Sequence, residues 1–199
     1  MITRDGDEVG RALDAGTAVV LPLPVPLPYV VAAAGPAAVN EAKGRSRDQP
    51  TGLGVADFAL VEPWLALDPP SAALARRLTD DLLLSLFVPV VDHAPDWLLP
   101  GPSGLVGVTT ACSDRARPVL QRHGGHLALS SGNRTGSDVA VTAAQADAEF
   151  DGHLLVLDGD DERDPTVPCG SAAIVAVPPG GALQLMREGI QTAGRDPQT

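Results

Sequence analysis

Apolar and polar positions along this chain fall into short blocks, some of strand length and some of helix length. Asp7 to Ala15 places Val9, Ala12 and Leu13 at helical spacing, and Gly16 suits a helix stop. Thr17 to Leu21 reads as a strand. From Pro22 to Pro28 proline alternates with Leu or Val, and proline has no amide donor. That stretch is expected to be an extended edge or a polyproline-like wall, not an interior strand. Pro36 to Lys43 predicts a short helix with Pro36 in its first turn. Gly52 to Val55 and Ala59 to Val61 are strand-like. The clearest helix is Ser71 to Leu84, with Ser71 as N-cap and Leu74, Leu78, Leu82 and Leu83 on one face. Phe87 to Val91 and Leu105 to Thr110 predict strands on either side of a loop at His93 to Ser103. Asp114 to His123 predicts a helix capped by Asp114 and stopped at Gly124-Gly125. His126 to Ser130 predicts a strand, and Thr142 to Glu149 a helix capped by Thr142. Leu154 to Asp158, Ser171 to Val177 and Leu183 to Arg187 are strand-like, and Gln191 to Thr199 reads as a loose tail.

Strands and helices alternate at first, and then strands follow one another. The expected class is α/β, one domain built on a twisted mixed sheet with flanking helices. A length of 199 residues fits one domain with a full core. Only 3% of residues are aromatic, so Leu, Val and Ala must build that core. The net charge is −11, which argues against a nucleic-acid surface, because such surfaces displace counterions from phosphates with basic side chains. The acidic run Asp158 to Asp164 reads as a solvated loop. Two cysteines without a CxxC pair, and a polar start with no leader character, predict a cytoplasmic protein. The apolar run Val19 to Ala34 carries four prolines and is shorter than the roughly 20 residues a span requires, so no membrane role is expected.

The stretch richest in chemistry is the strand at His126 running into Ser130, Ser131, Gly132, Asn133, Arg134, Thr135 and Gly136. Small side chains let backbone N–H groups approach an anion, and the hydroxyls and amide add hydrogen bonds. Upstream, Lys43-Gly44-Arg45 places two cations two residues apart at the end of the predicted helix, with Arg47 adding a third. Arginine offers phosphate a planar fork and lysine a point charge. Other constellations are weak. His123 and His126 flank two glycines with no further ligand at metal spacing, so no metal site is expected. Asp92-His93 lacks a nucleophile-elbow serine, and Cys169 reads as structural. Trp64 and Trp97 read as packing residues.

The loop resembles the serine-alanine-asparagine-x-serine-glycine signature of the YrdC-like family, the threonylcarbamoyl-adenylate synthases. Lys43-Gly44-Arg45 resembles that family's lysine-x-arginine phosphate clamp, and Gln49-Pro50 follows it. The helix-glycine-strand opening also matches. So do Gly170-Ser171, at the family's serine-threonine pair, and Arg187-Glu188-Gly189, at its arginine-x-glycine. The resemblance runs from about Val9 to Gly189, so a YrdC-like domain is expected over residues 1–190. It implies a nucleotide groove and ATP-dependent formation of a carbamoyl-type adenylate, with Mg²⁺ accompanying the ATP. In the threonylcarbamoyl-adenylate synthases the product serves tRNA modification. Carried over residue by residue, Lys43 and Arg45 act on the phosphates as the catalytic pair. Ser131, Asn133 and Arg187 help bind the nucleotide, and Tyr29 and Ser171 the second substrate.

Three family features are missing. Where the family has proline-threonine-x-threonine-x-tyrosine-glycine, this chain runs Pro24, Val25, Pro26, Leu27, Pro28, Tyr29, Val30. An apolar group cannot donate to a carboxylate, so a pocket built for that bond loses affinity. The family's arginine-valine-proline is replaced by Thr109, Thr110 and Ala111, and its tryptophan-proline-glycine-proline leaves at most Pro100-Gly101-Pro102. The phosphate-facing half is retained and the amino-acid-facing half is not. Two readings remain open. One is an enzyme with an altered acyl or amine substrate, which would need a separate transferase partner for carbamoyl transfer. The other is a degenerate module that binds nucleotide, RNA or a protein partner without turnover.

Overall fold

The computed structural model describes residues 1–110, 112–134, 136–180 and 182–192. The chain begins with β1 (Ile2–Thr3) and α1 (Gly6–Asp14), in which the Asp5 side chain accepts from the Asp7 amide as N-cap. Val9 and Leu13 form the buried face of α1, and Gly16 ends it at a positive φ. A hairpin follows, β2 (Val19–Pro22) and β3 (Tyr29–Ala33), paired antiparallel from Val19↔Ala32 to Pro22↔Tyr29. The proline-rich stretch is therefore the hairpin's turn, closed by Leu27 N–H to Pro24 O at 2.8 Å, and not an edge wall. Next come α2 (Pro36–Ala42) and β4 (Gly52–Val55). The predicted strand at Ala59–Val61 is instead a 3₁₀ turn over Phe58–Leu60, capped by Asp57.

The helix expected from Ser71 starts earlier, as α3 (Pro69–Asp80). Asp68 is its cap, accepting from the Ser71 amide, and prolines take the first two positions, where no N–H is needed. Ala72, Ala75, Leu78 and Thr79 form its buried face, whereas Leu74 and Leu82 are exposed. The rest of the chain is β5 (Ser85–Pro89), β6 (Leu105–Thr109), α4 (Arg117–Arg122), β7 (His126–Ser131), α5 (Ala143–Glu149), β8 (Leu155–Leu157), β9 (Ile174–Ala176) and β10 (Gln184–Arg187). Ser113, rather than Asp114, supplies the hydroxyl that accepts at the turn leading into α4. Thr142 caps α5 as predicted.

The ten strands among the described residues form one mixed sheet in the order β1-β8-β2-β3-β7-β4-β6-β5-β9-β10. One register row explains where the cavity lies. Leu155, Val19, Ala32, Leu129, Gly52, Gly107, Phe87 and Ala176 face one another across successive strands and point to one side. Over the first four, Val9 and Leu13 of α1 and Val119 and Leu120 of α4 complete a core. Beyond Leu129 this helix layer ends and the row shrinks to two glycines, so the sheet backbone is the floor of a depression. The opposite side is covered from β2 to β5. Val39, Ala143 and Ala146 of α5, and Phe150 just after it cover the β2–β3–β7 half, and Phe58, Val61 and Leu78 cover the β4–β6–β5 half.

The acidic run is not merely solvated. Asp160 accepts from Tyr29 Oη at 2.6 Å and from the Ala143 amide at the start of α5. Asp158 accepts from Arg4 at 2.9 Å, and Asp161 and Glu162 hold Arg115. The Asp160 amide and, secondarily, the Arg4 guanidinium hold the Asp158 carboxyl below the usual carboxylate range. At the other end, Gln191 is tied in from both sides of its amide, accepting from the Ala173 amide and donating to Leu83 O. The expected tail from 191 thus starts as packed chain, and its remainder, 193–199, lies outside the described residues. Among the described residues no helix is long and apolar enough to cross a membrane.

Candidate functional site

A cavity of about 550 Å³ opens over the glycine floor. Leu23, Val30, Leu129, Phe87 and Ile174 supply its apolar wall, and Arg45, Ser131, Asn133, Asp138, Ser171 and Arg187 its polar rim. Five sequence-predicted residues therefore meet at one cavity: Arg45, Ser131, Asn133, Ser171 and Arg187. They come from four separate segments of the chain.

Arg45 is placed by the end of α2. Gly44 adopts φ +63°, which lets the chain reverse, and the Arg45 amide then donates to Asn40 O at 3.0 Å. Asn40 is fully buried and organises the whole turn. Its Nδ2 donates to Arg47 O and Gln49 O at 2.9 and 2.8 Å, and its Oδ1 accepts from Arg45 Nε at 2.6 Å. The guanidinium is thus aimed by a side chain that the sequence reading did not single out. Burial lowers the Arg45 guanidinium from its ordinary value, as fits a cation held partly out of water. Asn40→Ala leaves two carbonyls and one guanidinium N–H without partners, so a stability loss of about 1–3 kcal/mol is expected in urea denaturation.

Lys43 sits behind the cavity wall rather than in it. Its ammonium donates to Ser131 O at 2.6 Å, to Asn133 O at 2.5 Å and to Ser131 Oγ at 3.2 Å. It clamps the signature loop from α2. Burial and, secondarily, Arg45 lower the Lys43 pKa to about 8.

The loop itself folds over β3. The Gly132 amide donates to Tyr29 O at 3.0 Å, and Asn133 Nδ2 closes the loop onto Ser137 O. Asn133 Oδ1 is buried and has no hydrogen-bond partner among the described residues. Arg134 is latched toward α5, its amide donating to Glu149 and its guanidinium to Asp151. Thr135 and Ala111 lie outside the described residues.

Tyr29 does not reach the cavity. It is fully buried, donates to Asp160 and accepts from the Gly159 amide at 3.0 Å, so its expected substrate contact is corrected to a core role. Burial, then the bond to Asp160, moves its phenol well above its ordinary value. On the far rim, Arg187 Nη2 donates to Ala172 O at 2.8 Å. Trp64, Trp97 and His126 form an aromatic cluster, with Trp97 and His126 stacked at 5.4 Å and Trp64 edge-on. They pack, as expected. The floor residues Gly52, Gly107 and Phe87 were missed, although a glycine inside a strand pattern is a recognised sign of close backbone approach.

A family model described as "Telomere recombination" (Sua5, YciO, YrdC) matches residues 32–189. Among curated proteins none matches the chain. The structure is similar to P. abyssi Sua5 complexed with L-threonine (TM-score 0.71, 20% identity, covering 95% of this chain and 56% of that one). It is similar to E. coli YciO (TM-score 0.71, 14% identity, 93% and 89%). It is also similar to full-length HypF in a phosphate- and nucleotide-bound form (TM-score 0.73, 14% identity, 96% and 25%). The chain thus spans less than three fifths of the Sua5 chains it matches.

Proposed function

This chain belongs to the Sua5/YciO/YrdC family, and from that premise we propose that it makes a carbamoyl-type adenylate from ATP with a co-substrate other than threonine. The observation that carries the reading is the convergence of Arg45, Ser131 and Asn133 on one end of the cavity. A carbamate oxygen attacks the α-phosphorus of ATP, and pyrophosphate leaves. Such a step needs little covalent help; positioning and charge neutralisation do most of the work. Arg45 offers its fork to the phosphates, Ser131 a neutral donor, and Lys43 holds the loop between them. Arg187 and Ser171 attend the far rim.

Magnesium ions usually bind phosphates together with one or two carboxylates. Asp138 is the one carboxylate among the described lining residues, and no cluster of three metal-ligating side chains occurs among the described residues. In this reading magnesium comes with the phosphates of ATP, and Asp138 is the carboxylate nearest to hand.

The change of co-substrate is supported by the hairpin. At the two positions where the family has threonine, Leu27 is buried in the core and Val25 lines a separate, smaller cavity of about 180 Å³. Neither side chain offers a hydrogen bond. A separate transferase would then use the activated group, and the net charge of −11 disfavours direct RNA binding.

Calorimetry with ATP or AMP and Mg²⁺, followed by pyrophosphate release with bicarbonate and a panel of amines, tests this. Absence of any nucleotide binding at millimolar concentration sinks the enzyme reading and leaves the non-catalytic module. A pH dependence is also expected. Phosphate bound at the loop raises the Lys43 pKa from about 8, so the complex holds a proton that the unliganded chain releases. Binding should be tightest below about pH 8 and weaken above it, by at most about tenfold per unit. Titrations at pH 8.5 in buffers of different ionisation enthalpy should show proton uptake, and Lys43→Arg should remove it.

A further inference from the structure

The hairpin turn between β2 and β3 forms part of a wall between two cavities. Leu21 lies opposite Val30 in the β2–β3 pairing, and Val30 lies opposite Ser131 in the β3–β7 pairing. Leu23, two residues beyond Leu21, lines the main cavity with Val30 and Ser131. It also lines the smaller cavity of about 180 Å³, and among the described residues it is the one that both linings share. Its side chain is buried. Leu23 therefore stands between the loop end of the main cavity and a second space, which Val25, Cys112, Ser113 and Arg163 help to enclose.

This wall is held from behind. Arg163 Nη1 donates to Leu23 O at 2.8 Å and Nη2 to Leu27 O at 2.6 Å, so one guanidinium grips both ends of the turn. The same group sits over the Tyr29 ring, 5.4 Å from its centroid, and Nη2 also reaches Cys169 Sγ at 3.3 Å. Tyr29 is itself fixed by Asp160, three residues before Arg163. The Gly170 amide adds a bond to Pro26 O at 3.0 Å. A planar fork bridges two carbonyls at once, whereas an ammonium on a flexible stem fixes neither as closely. The space behind Leu23 is thus kept apart by a turn pinned at three carbonyls, not by close packing.

We infer that Leu23, positioned by Arg163, sets the size limit on the group joined to the nucleotide. This rests on the adenylate-forming reading above, in which the α-phosphorus lies at the end of the cavity that holds Arg45, Ser131 and Asn133. There the substituent on the activated carbonyl meets the wall of Leu23 and Val30. A short substituent fits against that wall. A longer one needs Leu23 to move, and the pinned turn opposes it. In a hydrophobic pocket one methylene too many changes discrimination by roughly ten- to two-hundredfold. Shortening Leu23 joins the two cavities and gives a longer substituent the space behind. Arg163 lines only the smaller cavity, so it acts through Leu23 as a positioning residue.

The test uses stable stand-ins for the adenylate: adenosine 5′-sulfamate and its N-acetyl, N-butanoyl, N-hexanoyl and N-octanoyl derivatives. Calorimetry on the full chain with this series reads substituent length without turnover. Wild type should bind the N-octanoyl member at least about tenfold more weakly than the member that fits best, a difference of about 1.4 kcal/mol. Leu23→Ala should bind the N-octanoyl member at least about tenfold tighter than wild type does, and the unacylated sulfamate equally well. Arg163→Lys should flatten the same length profile and leave the unacylated sulfamate unaffected. Loss of folded protein alone would not do this, because it lowers the stoichiometry for every member alike. Leu23→Val, a smaller step in the core, moves the profile in the same direction and carries the test if the alanine variant does not fold. If the unacylated sulfamate binds but the length profile is the same in wild type and variants, the inference falls and the adenylate reading stands. If neither that compound nor AMP binds, both fall.

Discussion

Arg45→Ala weakens ATP or AMP binding by roughly ten- to a hundredfold in calorimetry, the loss expected for one charge-assisted phosphate contact of about 1.5–3 kcal/mol. The magnitude follows from where the guanidinium sits. It lines the cavity with Ser131 and Asn133, its Nε is fixed by Asn40, and partial burial lowers its pKa, so solvent screens the contact less than it would at an open surface. Arg45→Lys keeps a charge but loses the fork and the bond to Asn40 Oδ1, so it should fall between wild type and alanine. Asn133→Ala should cost less, about 0.5–1.5 kcal/mol, because a neutral hydrogen bond is involved. An Arg45→Ala protein that is folded by circular dichroism yet binds nucleotide like wild type would remove this residue from the site.

Much of the fold could be read from the chain because its signals are local. α1, α2, β4, β7 and α5 lie within two residues of where spacing, caps and stop glycines place them. The misreadings share one cause. The prolines of Pro22 to Pro28 argue only against an interior strand, whereas the stretch joins two strands, and β3 after it pairs with β2 across that turn and with β7, far along the chain. Tyr29 was given a site role by motif position, but strand alternation turns it to the opposite face from Val30, into the core. Lys43 and Arg45 were read as one clamp. The turn at Gly44 sends them different ways, one behind the loop and one into the cavity. Asn40 and the floor of Gly52, Gly107 and Phe87 carry no motif. Their importance lies in burial and in a register row that exists only once three strands are side by side.

The same dependence on backbone neighbours makes Gly132 a position where one small change should disturb the candidate site. A Cβ built there would lie 2.5 Å from Tyr29 O and 2.8 Å from the Tyr29 carbonyl carbon. Those atoms cannot yield easily. The Tyr29 amide donates to Ala140 O at 2.9 Å, its hydroxyl is held by Asp160 and the Gly159 amide, and the side chain is fully buried. The loop must therefore lift off β3. Doing so breaks the Gly132 N–H bond to Tyr29 O and pulls Ser131 and Asn133 away from the Lys43 ammonium. Gly132→Ala is expected to cost about 1–3 kcal/mol of stability, as overpacking against a fixed backbone does, and Gly132→Val more. Nucleotide affinity should fall further than stability alone accounts for, because the loop's donors and Arg45 no longer face one cavity. Ser131→Ala, which deletes one exposed hydroxyl and moves no backbone, should be much milder by both measures. Urea denaturation beside calorimetry on the same three variants separates the two effects. A Gly132→Ala protein with wild-type stability and wild-type nucleotide affinity would show that the loop does not need its close approach to β3.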